Sequence, residues 1–300
     1  MMIRALYTGL LDDAALFPPG ELPLSEAVPA HHRHRAAAHA DLVGPFVFPA
    51  PRLAELGAVL DRPLAVSLTV PGGPAELGPA LVSVAGHADV RLVAVELAQP
   101  DEVSPGEVLA ALAELPPGVT GYVEVPRGPA RSSTLDALAG SPYRAKFRTG
   151  GVVAAAHPDE AELADAIVGA VTRDLPFKCT AGLHHAVRHT EAGTGFEQHG
   201  FLNVLLATDA AAGGADRAEV AALLGERSTA KVVAGIRVLD AGRVGRARDR
   251  FVSFGTCSVA DPVRDLVDLG LLPPAGGDDG KDTAGTDETD DTADTVEGEH

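Results

Sequence analysis

The chain has 300 residues, 46% hydrophobic and 22% charged, so a sizeable core is available and disorder of the whole chain is excluded. Its formal net charge of −18, with no basic stripe, argues against nucleic-acid binding, which needs phosphate neutralisation by Lys and Arg. No apolar run reaches the roughly 18 residues of a spanning helix, no long apolar leader follows Met1, and Cys179 and Cys257 cannot build a disulfide framework. The expectation is a cytoplasmic protein without a membrane partner.

Short β-branched and apolar runs alternate with amphipathic stretches along the chain. Strands are predicted at residues 3–8, 46–49, 64–70, 92–97, 121–125, 145–149, 177–180 and 251–255. A helix over 25–39 carries His31-His32-Arg33-His34, read as a solvated face. Ser104-Pro105-Gly106-Glu107 has the form of a capping box with proline at the first helical position, and opens a helix over 108–115. The stretch 159–172 places Leu163, Ile167, Ala170 and Val171 on one face. Asp261-Pro262 starts a last helix that Gly270 ends, with Val263, Leu266 and Val267 inward.

Eight strands with intervening helices predict an α/β fold, a (β/α)8 TIM barrel over residues 1–273, with a doubly wound sheet as runner-up. The interval between the seventh and eighth strands is about twice what one helix and its turns require. The excess, residues 189–248, contains two apolar stretches, 201–206 and 220–224, and is read as a folded lid or a contact in a homo-oligomer. Apolar residues nearly vanish over 274–300, a predicted disordered tail. From Asp278 onward, ten acidic residues and one lysine hold nine of the eighteen negative charges, so the body of the chain is ordinary in charge.

In a barrel the active site forms at the C-terminal ends of the strands. There the chain places Asp12 and Asp13, Glu96, Glu124, Lys146 with Arg148, and Lys178 with Thr180 and the pair His184-His185. Only four lysines stand against twenty arginines. A guanidinium stays protonated, so amine chemistry falls to the lysines. Alternation puts Lys146 and Arg148 on one face of the sixth strand, and Lys178 and Thr180 on one face of the seventh. If both lysines point inward, they are neighbours across adjacent strands. Like charge and burial are then expected to lower the pKa of one of them toward neutrality. A neutral amine attacks carbonyls. The competing reading pairs each lysine with a carboxylate such as Glu124 in a purely structural role.

Lys146-x-x-Thr149-Gly150, Phe177-Lys178-x-x-Ala181-Gly182 and Phe254-Gly255-x-x-Ser258 together resemble the last three strands of class I deoxyribose-phosphate aldolases. The resemblance implies a Schiff base on Lys146, a tuning role for Lys178, and an anion site at Gly182, Gly255 and Ser258. The chain departs from the family pattern at Arg148 and at Leu183-His184-His185. The family's third-strand aspartate has no match, leaving Glu96 or Glu124 in its place. The leading expectation is therefore a lyase acting on a small carbonyl substrate, with no cofactor. Its catalytic set is Lys146, Lys178, Glu124 and His184. Its binding set is Asp12, Asp13, Arg148, Thr180, Gly182, His185, Gly255 and Ser258.

Two other readings stand beside it. His184 and His185, joined by His157, His189 or Glu124, define a metal-dependent hydrolase or isomerase, although no HxH or HExxH spacing fixes a ligand geometry and no metal is expected. A non-catalytic barrel that binds a metabolite or protein is the third. Cys179 and Cys257 lack an evident His–acid partner and are read as small core residues.

Overall fold

The computed structural model describes residues 2–274; the tail expected over 274–300 thus lies, but for its first residue, outside the described residues. Eight parallel strands close into a barrel. They are β1 (Leu11–Asp13), β2 (Val43–Pro49), β3 (Leu64–Val70), β4 (Val90–Ala98), β5 (Thr120–Glu124), β6 (Arg144–Arg148), β7 (Phe177–Thr180) and β10 (Phe251–Thr256). Closure is by β1, which pairs with β10 on one side and β2 on the other. A hairpin of two short strands, β8 (His189–Thr190) and β9 (Glu197–Gln198), stands apart from the barrel.

The predicted (β/α)8 barrel is the fold, and seven of the eight strands fall where the sequence places them. The first does not. Residues 3–8 belong to a short helix α1 (Met2–Ala5) and the turn after it, where Leu6, Tyr7 and Leu10 are buried. The strand itself is Leu11–Asp13, three residues ending in two carboxylates. No hydrophobic period advertises it. Neighbouring strands on both sides impose extended backbone on it, an instance of tertiary context overriding propensity.

Helices alternate with the strands, among them α3 (Leu53–Leu56), α4 (Pro74–Ala85) and α6 (Ala130–Leu138), and the predicted capping box is present. In α5 (Pro105–Leu112) Ser104 accepts from the Glu107 N–H while the Glu107 carboxylate accepts from the Ser104 N–H at 2.9 Å. Asp159 caps α7 (Glu160–Val171), and α12 (Ala260–Asp268) ends near Gly270, whose φ of 63° suits glycine. The apolar faces of the strands turn outward to meet these helices. Phe147 packs on Phe177, Phe177 stacks on Phe251, and Phe254 stacks on Phe201 of α8 (Phe201–Ala212).

One irregularity decides which side chains enter the barrel. Across β7 and β10, Phe177 pairs with Phe251 but Lys178 pairs with Ser253, so β10 carries one extra residue at Val252. The bulge lets Phe251 and Phe254 both face the helices while Ser253 turns inward.

The long interval before β10 is helical. Helix α8 is buried almost throughout, against β10, α7 and three further helices: α9 (Arg217–Gly225), α10 (Thr229–Arg237) and α11 (Ala241–Arg250). The hairpin β8–β9 reaches the mouth of the barrel, where Glu191, Thr194 and Phe196 border a cavity. No helix among the described residues is long and apolar enough to cross a membrane. Helix α2 (Leu24–Ala36) corrects one expectation. Its His31 is buried, not solvated, and its Nδ1 lies 3.0 Å from Asp13 Oδ2.

Candidate active site

Strand alternation sends Asp12, Glu96, Glu124, Lys146 and Lys178 toward the barrel axis, and their charges interlock. Glu96 stands at the centre. One carboxylate oxygen is 2.8 Å from Lys146 Nζ, and the other is 2.6 Å from Lys178 Nζ and accepts from Ser67 Oγ at 2.7 Å. Lys146 also meets Glu124 at 2.9 Å, and Lys178 meets Asp12 at 2.5 Å. The inward Ser253 hydroxyl donates to Asp12 at 2.8 Å. Arg148 donates to Glu124 at 2.9 Å, and the Tyr122 ring lies 5.3 Å below Lys178 Nζ. Such close packing of charge at the mouth leaves few polar atoms unsatisfied, the condition under which buried ions are tolerated.

The two lysines are direct partners across β6 and β7, as the alternation argument requires. The inference drawn from that neighbourhood is overturned. Burial pulls the Lys146 pKa down, yet Glu124 and Glu96 outweigh it and the net direction is up. For Lys178 burial again opposes, and Asp12 with Glu96 drives its pKa well above the usual lysine value. Glu96 sits between the ammonium groups and screens the repulsion that would have freed an amine. Both lysines are charged at rest. Despite burial, the carboxylates answer in kind: Lys146 and Lys178 hold Glu96 far below its ordinary range, and Lys146 and Arg148 bring Glu124 to about 2. Asp12 goes the other way, because burial outweighs its bond to Lys178.

Above this network lies a cavity of about 330 Å3 at the C-terminal ends of the strands, lined by Glu96, Glu124, Lys146, Arg148, Thr180 and Gly255 among others. Lys146 reaches it and Lys178 does not, being sealed beneath. A second cavity of about 440 Å3 adjoins it, bordered by Gly182, His184, His185 and the hairpin. Pro18, Gly151, Val152, Ala181, His184 and Cys257 border both, so the two form one continuous cleft.

Glycines shape the wall between them. A Cβ on Gly150 would stand 2.7 Å from the Gly182 Cα, so the loops after β6 and β7 touch backbone to backbone. Gly182 and its neighbour Ala181 both have left-handed backbone, φ 71° and 62°. For alanine that conformation is strained, and Thr149 Oγ1 donating to the Thr180 and Ala181 carbonyls holds it in place.

The remaining predicted residues divide. Asp13 lies on the outer face of β1, bound to His31 and the Ala15 N–H, away from the cleft. Ser258 does not border the cleft; its hydroxyl accepts from the Asp261 N–H at 3.3 Å at the start of α12. His157 contacts the Gly151 carbonyl and the Phe196 ring. His185 is held by Asp265 at 3.2 Å at the outer rim. Cys179 is core, as expected. Cys257 has the histidine partner that the sequence concealed: its Sγ is 3.2 Å from His184 Nδ1. Burial pushes the thiol up to about 11 and lowers the imidazole, so the thiol donates to a neutral ring. Ser67 and Ser253 were also missed. Their signal is a hydroxyl set between two apolar strand residues, Val66 and Leu68 for Ser67, Val252 and Phe254 for Ser253.

Fold and site define a TIM barrel whose mouth carries a buried network of two ammonium groups and three carboxylates. No protein-family model, curated protein or solved structure matches the chain.

Proposed function

We propose that the chain is a lyase of the aldolase type, forming an imine between Lys146 and a small carbonyl substrate. The supporting observation is the position of Lys146 Nζ, which borders the 330 Å3 cavity within hydrogen-bond reach of Glu96 and Glu124. Imine formation needs an amine beside groups that move protons to and from the carbonyl oxygen. In this reading Lys146 attacks the carbonyl carbon, the oxygen takes a proton, and water leaves to give the iminium ion. Carbon–carbon cleavage then sends its electron pair toward the iminium nitrogen, while a base takes the proton of the β-hydroxyl. Glu124 or the neutral His184 serves as that base, and Arg148, Thr180 and Gly255 line the space for the rest of the substrate. Lys178 with Asp12 fixes Glu96 from below.

The resting ammonium state has a direct consequence. Only the minor neutral fraction of Lys146 attacks, so imine formation accelerates with pH throughout the neutral range. The same ammonium favours a second reading. A permanently charged Lys146 would stabilise an enolate oxygen without covalent bonding, as in an isomerase, with Glu124 or His184 removing the proton α to a carbonyl.

Reductive trapping separates the two. The full-length protein is incubated with a panel of small aldehydes and ketones, reduced with borohydride, and mapped by mass spectrometry. The lyase reading expects a reduced adduct on Lys146 that disappears in Lys146→Arg. An adduct on another residue, or none at alkaline pH, sinks it; proton exchange α to the carbonyl without an adduct selects the isomerase.

A further inference from the structure

We propose that His185, His189 and Glu191 bind a divalent transition-metal ion of the Zn2+ type at the rim of the cleft. One ligand atom from each of the three lies within 4.8 Å of the other two. The seven-residue stretch 185–191 supplies all three, descending from the loop after β7 into β8 and the turn of the hairpin.

The strongest indication is a pair of acceptors facing each other. His189 Nδ1 lies 3.2 Å from the Val187 carbonyl oxygen, which only accepts, so Nδ1 carries the proton. The other nitrogen, Nε2, is then left with its lone pair. It is buried and has no hydrogen-bond partner. What it faces, at 3.6 Å, is a carboxylate oxygen of Glu191. Two electron pairs in that position repel unless a cation lies between them.

His185 is prepared in the same way. Its Nδ1 lies 3.2 Å from Asp265, which is itself anchored by the Ala186 N–H at 2.7 Å. A carboxylate or backbone carbonyl holding one imidazole N–H, so that the other nitrogen is aimed and more basic, is the usual outer shell of a metal-bound histidine. Both histidines have it, each from a different type of acceptor.

The donor set decides the class of ion. Two imidazoles and one carboxylate suit zinc, cobalt or iron better than magnesium or calcium, which prefer oxygen alone. Ligand bonds of about 2.0–2.1 Å place tetrahedral ligand atoms about 3.4 Å apart. The His189–Glu191 spacing is already near that, and small side-chain rotations close the rest. Three protein ligands leave a coordination position open. His185 and Glu191 border the outer cavity, so this position is available to water or to an anionic group of whatever fills the cleft. The proposal does not depend on Lys146 chemistry.

The test uses binding, not turnover. Full-length protein is stripped with chelator and titrated with Co2+ and Zn2+, following cobalt visible absorption and heat. The expected result is saturable uptake of about one ion per chain at this site, with cobalt bands showing low coordination number and histidine ligation. His189→Ala and Glu191→Gln should abolish it, and Asp265→Asn should weaken affinity by about 10- to 100-fold while leaving the ligands in place. His31→Ala and His32→Ala, remote from the rim, should change nothing. Circular dichroism checks that each variant is folded. Uptake that survives both His189→Ala and Glu191→Gln places the metal elsewhere and overturns the proposal. No saturable uptake in the parent protein overturns it equally.

Discussion

Replacing Glu96 by Gln tests the electrostatic account at its centre. The amide keeps the size of the side chain and an oxygen for Ser67 and Lys178 to bond, but removes the charge that both ammonium groups share. At 2.8 Å, with an effective dielectric constant of about 20, a charge pair is worth about 6 kcal/mol before any reorganisation. Observed changes are smaller, and a single opposite charge at such range alters proton affinity by about one to three powers of ten. With Glu96 neutral, Lys146 retains Glu124 and faces Lys178 without a screen. Its neutral fraction at pH 7 should therefore grow by about 10- to 1000-fold. The assay is the rate of borohydride trapping of a small aldehyde at Lys146 from pH 6 to 10, with adduct mapped by mass spectrometry. Trapping at pH 7 should rise by that factor, and the profile should move to lower pH. The substitution should also cost about 2 kcal/mol of stability, because each lysine keeps only one carboxylate. A folded Glu96→Gln protein whose profile moves upward, or not at all, would show that Glu96 does not control the charge of Lys146.

In the parent protein, trapping should increase about tenfold per pH unit between 6 and 9, because the raised Lys146 pKa keeps the amine in the minority; a plateau near neutrality would contradict this. Lys146→Arg should lose the adduct entirely, whereas Lys178→Met should keep it and shift the profile upward, since Lys178 is one influence that lowers the Lys146 pKa. Glu124→Gln should flatten acid destabilisation. Glu124 titrates at about 2 when folded against 4.5 ordinarily, so its stability is present above 4.5 and lost as pH falls toward 2. Allowing for its partial exposure to the cleft, that is about 2 kcal/mol, readable from urea midpoints at pH 5 and pH 2.5. Removing residues 275–300 should leave Tm within about a degree, since so polar a segment has little apolar surface to bury; a larger loss in calorimetry would mean the tail docks on the body.

Much of the barrel is written in local pattern. β3, β6 and β7 alternate cleanly, and Phe147, Phe177 and Phe254 declare the outward face while Lys146 and Lys178 declare the inward one. β1 escaped because three residues carry no period, and its two aspartates read as a loop. The site was legible as a set of residue types at strand ends, but its electrostatics were not. Alternation shows that two lysines are adjacent; it does not show that a glutamate two strands away reaches between them. Likewise the Cys257–His184 contact joins the residue after β10 to the loop after β7, and His185–Asp265 joins that loop to α12. Neither spacing can be read along the chain. A depressed lysine pKa does not result, because Lys146 has Lys178 on one adjacent strand but Glu124 on the other, and Glu96 and Asp12 reach the two ammonium groups from farther round the barrel.

The Asp12–Lys178 pair has a consequence for the order in which the molecule is built. Asp12 lies on the first strand, 166 residues ahead of its ammonium partner, and its other hydrogen-bond donor, Ser253, is on the last. During synthesis the N-terminal strands leave the ribosome long before either partner exists. Until then Asp12 has every reason to remain hydrated, and β1, which pairs with β10, has an open edge on that side. The half-built sheet therefore cannot close around its own charge. Closure must wait for the C-terminal third, and the final strand supplies both the missing edge and the hydroxyl that lets the first carboxylate leave water.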